Sequence, residues 1–578
     1  MPMRTIFSIT LGLLLWVGPP TRLLAQEGTE LAPRGLAGQT EGELPFGKRE
    51  VMAQEGVDHS EVLIARLESI RLTGREEAEE KRHVGADGGW VVTQGLTVDE
   101  EDVAEAILPF VGHRLTARGL DRLIETLLRH YEANDRPVTD IFAPDQALDR
   151  GAIELVVIDG VVGTIGLESG GVFNDELLAG AVRLRGGDVL RTSELQRHLD
   201  WFNRNPFRPA TLYAAPGAGE GEANMVFAFG ERRPWRVYVG YENTGAEAAG
   251  DSRYLAGINW GNAFDLDHSL NYQFTTSDSL KELSAHALSW DIPIHSRHHF
   301  ARLSAGWAEI STQSRSSGIL VDTSGTSWQL GGAYGMQLTR WNDFKQEVSV
   351  GVEYKSSDNF LVFGGTNAHP GAVVEVLQFR ADYQASRQFG REGGLQLSAS
   401  LVASPGGLSG LNSDQDFERF RPGAEASYLY GRARGVWVRR LPDSWTLRAS
   451  GQLQLSSGAL LPTEQLGLGG HATVRGFEER EFLADHGYVL STELRAPSLR
   501  IPLGEGRPVQ VQFLGFLDHA GGWRRGTGPG QDGHRSFTSM GAGLRAQFGR
   551  YLNLRADVGV PLDRGDAVRG HVGVTSSF

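Results

Sequence analysis

The sequence contains no cysteine, which removes disulfides, thiol chemistry and thiolate-bound metals at once. It lacks an excess of positive charge: 56 Lys and Arg stand against 71 Asp and Glu, a net charge of -15, and such a chain is a poor partner for nucleic acid. Beyond the first two dozen residues it lacks any uninterrupted apolar run of the roughly 18 residues that a membrane-crossing helix needs. A membrane contact of the mature chain must therefore be made by a closed barrel, because lipid leaves backbone polar groups no other partner. The mean hydropathy of -0.26 fits that reading, since a barrel alternates lipid-facing apolar and lumen-facing polar residues. The 16 histidines are scattered without metal-ligand spacing, and the Gly-x-Gly pairs lie in strand turns, not between a strand and a helix. No cofactor, metal or catalytic residue is expected, and the chain is not read as an enzyme.

What is present begins with a leader. Arg4, the apolar stretch Ile6 to Val17 and the small residue Ala25 predict a signal peptide over 1–25. Residues 26–59 carry Gly, Glu and Pro without period and read as a linker or plug segment. From about residue 60 strand and helix patterns alternate. Val62-Leu63-Ile64 predicts a strand, Asp99 to Phe110 a short helix, and Thr116 an N-cap for a helix with Leu120, Leu123, Ile124, Leu127, Leu128 and Tyr131 on one face. Ile153, Leu155 and Val157 alternate in a closing strand. A shorter unit follows, with a strand at Val161–Leu167, helices at Asp175–Leu184 and Thr192–Asn203, and strands at Thr211–Ala214 and Met225–Phe229. Two small α/β modules are thus expected at 60–160 and 161–232, each able to expose a sheet edge to an added strand. Residues 74–96 enlarge the first with an acidic and then Gly-rich insertion that the pattern does not explain.

From about Pro234 helix signals nearly vanish, and Gly-rich turns separate strictly alternating segments. Leu552, Leu554, Ala556, Val558 and Val560 oppose Tyr551, Asn553, Arg555 and Asp557, while Trp235, Val237, Val239 and Tyr241 oppose Arg236 and Glu242. Sixteen such segments start near Pro234, Ser252, His268, Leu283, His298, Thr326, Phe344, Ala372, Gly394, Ala424, Ser444, His486, Pro508, Ser536, Tyr551 and Ala567. An even count lets a single antiparallel chain close with both ends on one side. The fold class is mainly β, a sixteen-stranded antiparallel transmembrane barrel over 233–578 preceded by the two modules. A soluble sandwich or propeller would need a blade or Greek-key period, and none is seen.

One stretch breaks the alternation: Leu461 to Phe477, ending Leu466-Gly467-Leu468-Gly469-Gly470-His471-Ala472-Thr473-Val474-Arg475-Gly476-Phe477. It resembles the conserved barrel loop of the two-partner secretion transporters, or hemolysin secretion/activation proteins, within the superfamily of polypeptide-transporting outer-membrane barrels. Val474-Arg475-Gly476-Phe477 matches that superfamily's loop tip and Gly469-Gly470 the double glycine before it. The resemblance implies that the loop folds into the lumen and that Arg475 pairs with Asp518 of the thirteenth strand, in Phe516-Leu517-Asp518. Independently, Val509, Val511, Phe513 and Leu517 form one face of that strand, which turns Gln510, Gln512, Phe516 and Asp518 inward. Ala143 to Gly151, with Pro144 and Gln146, resembles the signature of a first polypeptide-transport-associated (POTRA) module. Asn203-Arg204-Asn205-Pro206-Phe207-Arg208 resembles the helix end of the second, and Phe578 fits the C-terminal aromatic read by barrel-assembly machinery.

The family implies an outer-membrane protein with periplasmic modules that secretes an unfolded exoprotein, large and β-rich, through its pore without nucleotide hydrolysis. Its partners would be that exoprotein, outer-membrane lipid and the assembly machinery. The alternative is a barrel-assembly factor, although such factors commonly carry five modules. A passive porin has neither modules nor the loop, and a plain binding scaffold would conduct no ions. Residues 26–59 depart from the family's pore-plugging N-terminal helix, because they carry several Gly and Pro with poor helix propensity.

Overall fold

The computed structural model describes residues 61–578 apart from 75–77, 86–87, 149, 246–249, 279, 281, 317–318, 359–372, 503–507, 527–531, 550 and 564–567. The expected leader at 1–25 and the segment 26–59 lie outside the described residues. The described chain divides into two units, 61–232 and 233–578.

In the N-terminal unit the first sheet is built around Ser69–Thr73, which pairs in parallel with Ala152–Asp159, itself antiparallel to Thr139–Phe142. Ile70, Leu72, Ile153 and Leu155 are buried beneath two helices, Glu100–Ile107 and Ala117–Ala133, whose Val103, Ile107, Leu123, Leu127 and Tyr131 complete the core. Asp99 caps the first helix by accepting from the N–H of Glu101 at 2.9 Å, and Thr116 caps the second from Gly119 at 3.1 Å. The expected strand Val62–Ile64 is present and pairs with Leu115–Thr116 as a separate ribbon. The insertion is a hairpin: Trp90–Gln94 pairs in parallel with Ser69–Thr73, and Lys81–Val84 folds back antiparallel on it. The first sheet therefore has five strands, with Lys81–Val84 and Thr139–Phe142 at its edges.

Gln146 shows why its position in the POTRA-like signature is useful. Its amide bonds both backbone groups of Glu154, Nε2 donating to the carbonyl at 2.8 Å and Oε1 accepting from the N–H at 2.7 Å. Asn203 treats Ala210 in the same way, at 3.1 and 2.9 Å. Arg208 lies buried between Phe173, Phe202 and Phe229 and donates to the Phe202 carbonyl at 2.9 Å. The second sheet has three strands, Val161–Glu168, Glu222–Phe229 and Ala210–Pro216, in that order. Its first helix is shorter than expected, Asp175–Ala179, and ends at Gly180. The second, Thr192–Phe202, lacks a cap from its own residues. Asp135 of the first module supplies one instead, accepting from the Ser193 N–H at 2.7 Å and its hydroxyl at 2.6 Å.

The C-terminal unit is a closed antiparallel barrel of sixteen strands. They run Trp235–Glu242, Arg253–Ala263, His268–Thr276, Leu283–Ile294, His299–Ser316, Ile319–Trp341, Phe344–Asp358, Val373–Gln388, Gly393–Pro405, Ser427–Arg440, Thr446–Ser456, His486–Arg495 with Leu499–Ile501, Val509–Trp523, His534–Phe548, Leu552–Pro561 and Arg569–Ser577. The two pieces of the twelfth strand both pair with the thirteenth. The sixth begins seven residues before the expected Thr326, because it pairs with the fifth out to Ser316↔Ile319. Alternation follows the pattern: Val350, Leu401, Leu455, Leu517, Met540 and Val558 point outward and are exposed, the position of a lipid-facing side chain. Tight turns join strands on one side. Asn342 and Asp343 both take positive φ, 51° and 64°, the geometry of a two-residue hairpin whose twist suits the strands. Exposed Phe264, Trp341, Trp445 and Tyr551 sit at these turns, as an aromatic girdle does at a membrane interface. One helix interrupts the region expected to be strand and turn only, Asp414–Phe420, after the ninth strand.

His198 offers a test of the modular unit. Its Nδ1 donates to the Glu194 carbonyl at 2.7 Å and its Nε2 accepts from the Arg183 N–H at 2.9 Å, which requires a neutral ring. Burial holds its pKa below the ordinary value. An unfolded His titrates near pH 6.5, so below about that value the unfolded chain binds the additional proton and folding loses stability. The urea midpoint of 61–232, read from Trp90 and Trp201 fluorescence, is expected to be insensitive to this group above about pH 6.5 and to fall below it. His198→Gln should flatten that fall; an unchanged pH profile would reject the assignment.

Candidate functional site: a loop clamped inside the barrel

Residues 457–485, between the eleventh and twelfth strands, fold inward. Leu466–Leu468 and Phe482–Ala484 pair as a short antiparallel hairpin. Beyond Leu468 the chain bends through Gly469 and Gly470, at φ +102° and +92°. A Cβ on Gly469 would lie 2.3 Å from the Glu478 carbonyl oxygen, so only glycine fits. The loop's apolar side, Leu466, Leu468, Val474, Phe477 and Phe482, packs on the inward residues Val489, Ala520 and Phe537 of strands twelve to fourteen. Phe477 meets Phe537 edge-on, with ring centres 5.0 Å apart.

The tip places Arg475 against the wall, 4% exposed. Its Nε donates to Asp518 Oδ2 at 2.7 Å and its Nη2 to Asp518 Oδ1 at 2.8 Å, a two-pronged pair. The backbone N–H of Arg475 adds a third bond to Oδ2 at 3.2 Å. Nη1 donates to Glu493 of the twelfth strand at 2.8 Å, and Ser491 Oγ donates to Asp518 Oδ1 at 2.6 Å. The guanidinium lies 3.5 Å from the ring centre of Phe516, which adds a cation–π contact. Phe516 in turn covers Gly541, where a Cβ would fall 2.4 Å from its ring. Gly476, at φ +97°, packs backbone to backbone on Gly559 of the fifteenth strand, and its N–H donates to His571 Nε2 of the sixteenth at 3.1 Å. Val474, Arg475, Gly476, Phe477, Phe516 and Asp518 thus meet in one place, while Gly469 and Gly470 shape the bend above them. Because the pair is buried, removing one partner would leave a stranded charge, at a cost on the order of 3–5 kcal/mol. His519 faces away from Asp518 and pairs with Tyr488 and Thr538, each at 2.9 Å.

Three parts of the site were not read from the sequence. Glu493 is one; its inward parity on the twelfth strand was the available signal. The second is the loop's base. Glu464 is wholly buried and takes Lys355 Nζ at 2.7 Å and Tyr430 Oη at 2.6 Å, from strands seven and ten. Asp485 receives Arg421 at 2.6 and 2.7 Å, Leu460 N–H at 2.8 Å and Arg525 N–H at 2.7 Å. The third is the helix Asp414–Phe420. Its Phe417 and Phe420 pack on Val376, Val402, Tyr428 and Tyr430 of strands eight to ten and on Leu460 and Leu461 of the loop. Ser413 and Asp416 form a capping box at its start, a legible signal.

The family profile described as haemolysin secretion/activation protein ShlB/FhaC/HecB matches residues 221–546, more than half of the chain. The outer membrane transporter CdiB-2 of Burkholderia pseudomallei is 27% identical over 169 residues, 28% of each chain. The heme/hemopexin transporter protein HuxB of Haemophilus influenzae is 20% identical over 409 residues, 68% of this chain and 69% of that one. The solved structure of CdiB from Escherichia coli superposes with a TM-score of 0.71 at 18% identity, covering 93% of this chain and 94% of that one.

Gly559→Val probes the clamp without touching its charges. A Cβ there would lie 2.5 Å from the Gly476 nitrogen and 2.6 Å from the Arg475 carbonyl carbon, so the tip must move out. In detergent-purified protein, trypsin is expected to spare Arg475 and Arg480 in the wild type and to cut there in the variant. Equal protection of both would show that the tip is not held by this contact.

Proposed function

Since the chain belongs to the haemolysin secretion/activation family and is an outer-membrane transporter of two-partner secretion with periplasmic modules, we propose that its inward loop is the gate of the export path. The exoprotein arrives unfolded in the periplasm and adds as a strand to an open edge of the POTRA modules at 60–160 and 161–232. It then passes through the barrel at 233–578 once the tip leaves the wall. No nucleotide site is invoked: folding of a large, β-rich cargo outside supplies the drive. Phe578 serves recognition by the barrel-assembly machinery during the transporter's own insertion.

The observation that carries this reading is the ion pair of Arg475 with Asp518, made between the tip of the loop and the barrel wall. A loop needed only to fill space could be held by its apolar side alone. Buried ion pairs give little net stability, but a buried charge left without its partner is strongly unfavourable, so the seated tip is a defined state, as a gate requires. The module edges agree with the capture step. Ser69–Thr73 is covered by the insertion hairpin, while Thr139–Phe142 and Ala210–Pro216 each pair on one side only among the described residues. The barrel-assembly alternative is not favoured, because the matching relatives are transporters.

Arg475→Ala is expected to leave the protein folded in the outer membrane and to abolish release of the exoprotein into the medium. The measurement is an immunoblot of supernatant and outer-membrane fractions from cells carrying each allele. Wild-type release by the variant would sink the gating proposal.

A further inference from the structure

The helix Asp414–Phe420 lies inside the barrel mouth. It follows the ninth strand, and odd-numbered strands run away from the barrel's two chain ends, so it sits at the end opposite Trp235 and Ser577. With the modules in the periplasm, that end faces the cell exterior. The wall beneath the helix is apolar on its lumen side. Parity settles this: Val373, Leu401 and Leu429 are exposed and face outward, so Val374, Val376, Val402, Tyr428 and Tyr430 face inward. Phe417 and Phe420 of the helix cover them. Without that cover the strip would meet water in the mouth, at a cost that grows with its apolar area. The helix is therefore a lid seated on the strip.

Two kinds of contact hold this lid. Toward the strands it is apolar: among the described residues no side chain of Asp414–Phe420 hydrogen-bonds a strand, and those of Asp414 and Glu418 bond Ala426 and Gly423 of the same loop. Its polar ties go to the inward loop. Arg421, directly after the helix, donates to both carboxylate oxygens of Asp485 at 2.6 and 2.7 Å and also to the Leu460 carbonyl. Ala424 pairs in parallel with Ala459 at the loop's start. Asp485 stands at the loop's end, wholly buried. Its carboxylate further accepts from the Leu460 N–H at 2.8 Å, from Gln465 Nε2 at 3.1 Å and from the Arg525 N–H, just past the thirteenth strand, at 2.7 Å. One buried carboxylate thus joins the lid to both ends of the inward loop. Parting Arg421 from it strands charge, whereas lifting Phe417 and Phe420 off the wall strands none.

We propose that Asp485 is the positioning residue that makes the helix lid and the clamped loop one gating body. Release of Arg475 at the tip then lifts the lid at the mouth, and a displaced lid unseats the tip. This rests on the gating reading for the movement of the loop. The barrel has an inner lock and an outer lock that open together, so a polypeptide that frees the tip from the periplasmic side meets no second barrier at the exit. Coupling between two such sites is reciprocal, and each direction can be measured by itself.

The sequence has no cysteine, so one introduced thiol reports its own surroundings without background. Ala424, next to the lid, is buried. On whole cells carrying the full-length protein, A424C is expected to react slowly with a membrane-impermeant maleimide, and about tenfold faster once R475A is added. In a D485N background the reaction should be fast with or without R475A, because the joint is already broken. An A424C rate that R475A does not move overturns the coupling. In the reverse direction, D485N alone should let trypsin cut at Arg475 in detergent-purified protein, although no contact of the clamp is altered. Cleavage confined to Arg419 and Arg421 would give Asp485 a merely local role and overturn the proposal. Heat-modifiable migration in gels shows whether each barrel is folded. If R475A or D485N fails that check, Gly559→Val displaces the tip and R421Q breaks the joint in their place, with the same outcomes expected. Labelling and proteolysis need no exoprotein. Normal export by R475A would therefore sink the gating reading and leave the coupling measurable, and an uncoupled lid leaves the gating reading standing.

Discussion

Lipid offers a backbone no hydrogen-bond partner, and the C-terminal unit is organised around that constraint. Every strand must pair on both sides, including the first with the last. Closure rests on a short seam, Tyr238↔Ser577 through Glu242↔Gly573. It is reinforced where Arg555 reaches from the fifteenth strand to Glu242 at 2.5 Å and where Asn243 bonds the backbone of Gly570 and Val572. At the other end of the seam Phe578 and Val237 exchange backbone bonds at 2.9 and 3.3 Å. Side chains that would destabilise a soluble protein, such as exposed Val350 and Leu455, become stabilising because their solvent is hydrocarbon.

Closure creates a second problem, an interior wall that must be polar yet leaves little room for water where the loop fills it. Arg475 is the answer at one side of the loop and Glu464 at the other. Each brings a charge from the loop to groups fixed on strands that already hold one another. The apolar hairpin between them hides its own hydrophobic residues against Val489, Ala520 and Phe537. The loop is consequently a folded element with its own core, held by ionic contacts at its tip through Arg475, at its base through Glu464 and Asp485, and at Glu478, which meets Arg569 of the sixteenth strand at 2.6 Å. That arrangement is compatible with the gating role proposed for the loop.

How much of this was legible follows from the kind of signal involved. Period-two alternation is local, so the starts of the strands were readable to within a few residues wherever turn residues such as Asn342-Asp343 marked them. The sixth strand was misjudged because Ile319 to Gly325 lacks alternation and is paired only through the length of its partner. Val62–Ile64 was readable as a strand, but three apolar residues do not say which neighbour they pair with. The place of Arg475 beside Asp518 could be anticipated from parity together with a resemblance. Glu493 offered only its inward parity, which reads the same whether an acid faces water or a guanidinium, and Glu464, on the loop between strands, offered no periodic signal. The helix Asp414–Phe420 was legible in its capping box but overlooked amid strands.

Sheet edges tie the two units together as a physical theme. The barrel removes its edges by closing, but the capture proposed for the modules would need one kept open, and an open edge invites unwanted pairing. The first module manages this asymmetrically. The hairpin Lys81–Val84 with Trp90–Gln94 covers the edge of Ser69–Thr73 and moves the boundary to a strand of four residues bearing Lys81, Arg82 and His83. Lys81 is tied to Glu100 at 2.8 Å, and Arg82 lies over Trp90 at 4.3 Å. A short, charged edge held down by its own side chains is a poor template for further strands. The opposite edge, Thr139–Phe142, instead ends in the exposed Phe142. The insertion that had no explanation as sequence is thus intelligible as structure: it closes one edge of the sheet and leaves Thr139–Phe142 as an edge strand among the described residues.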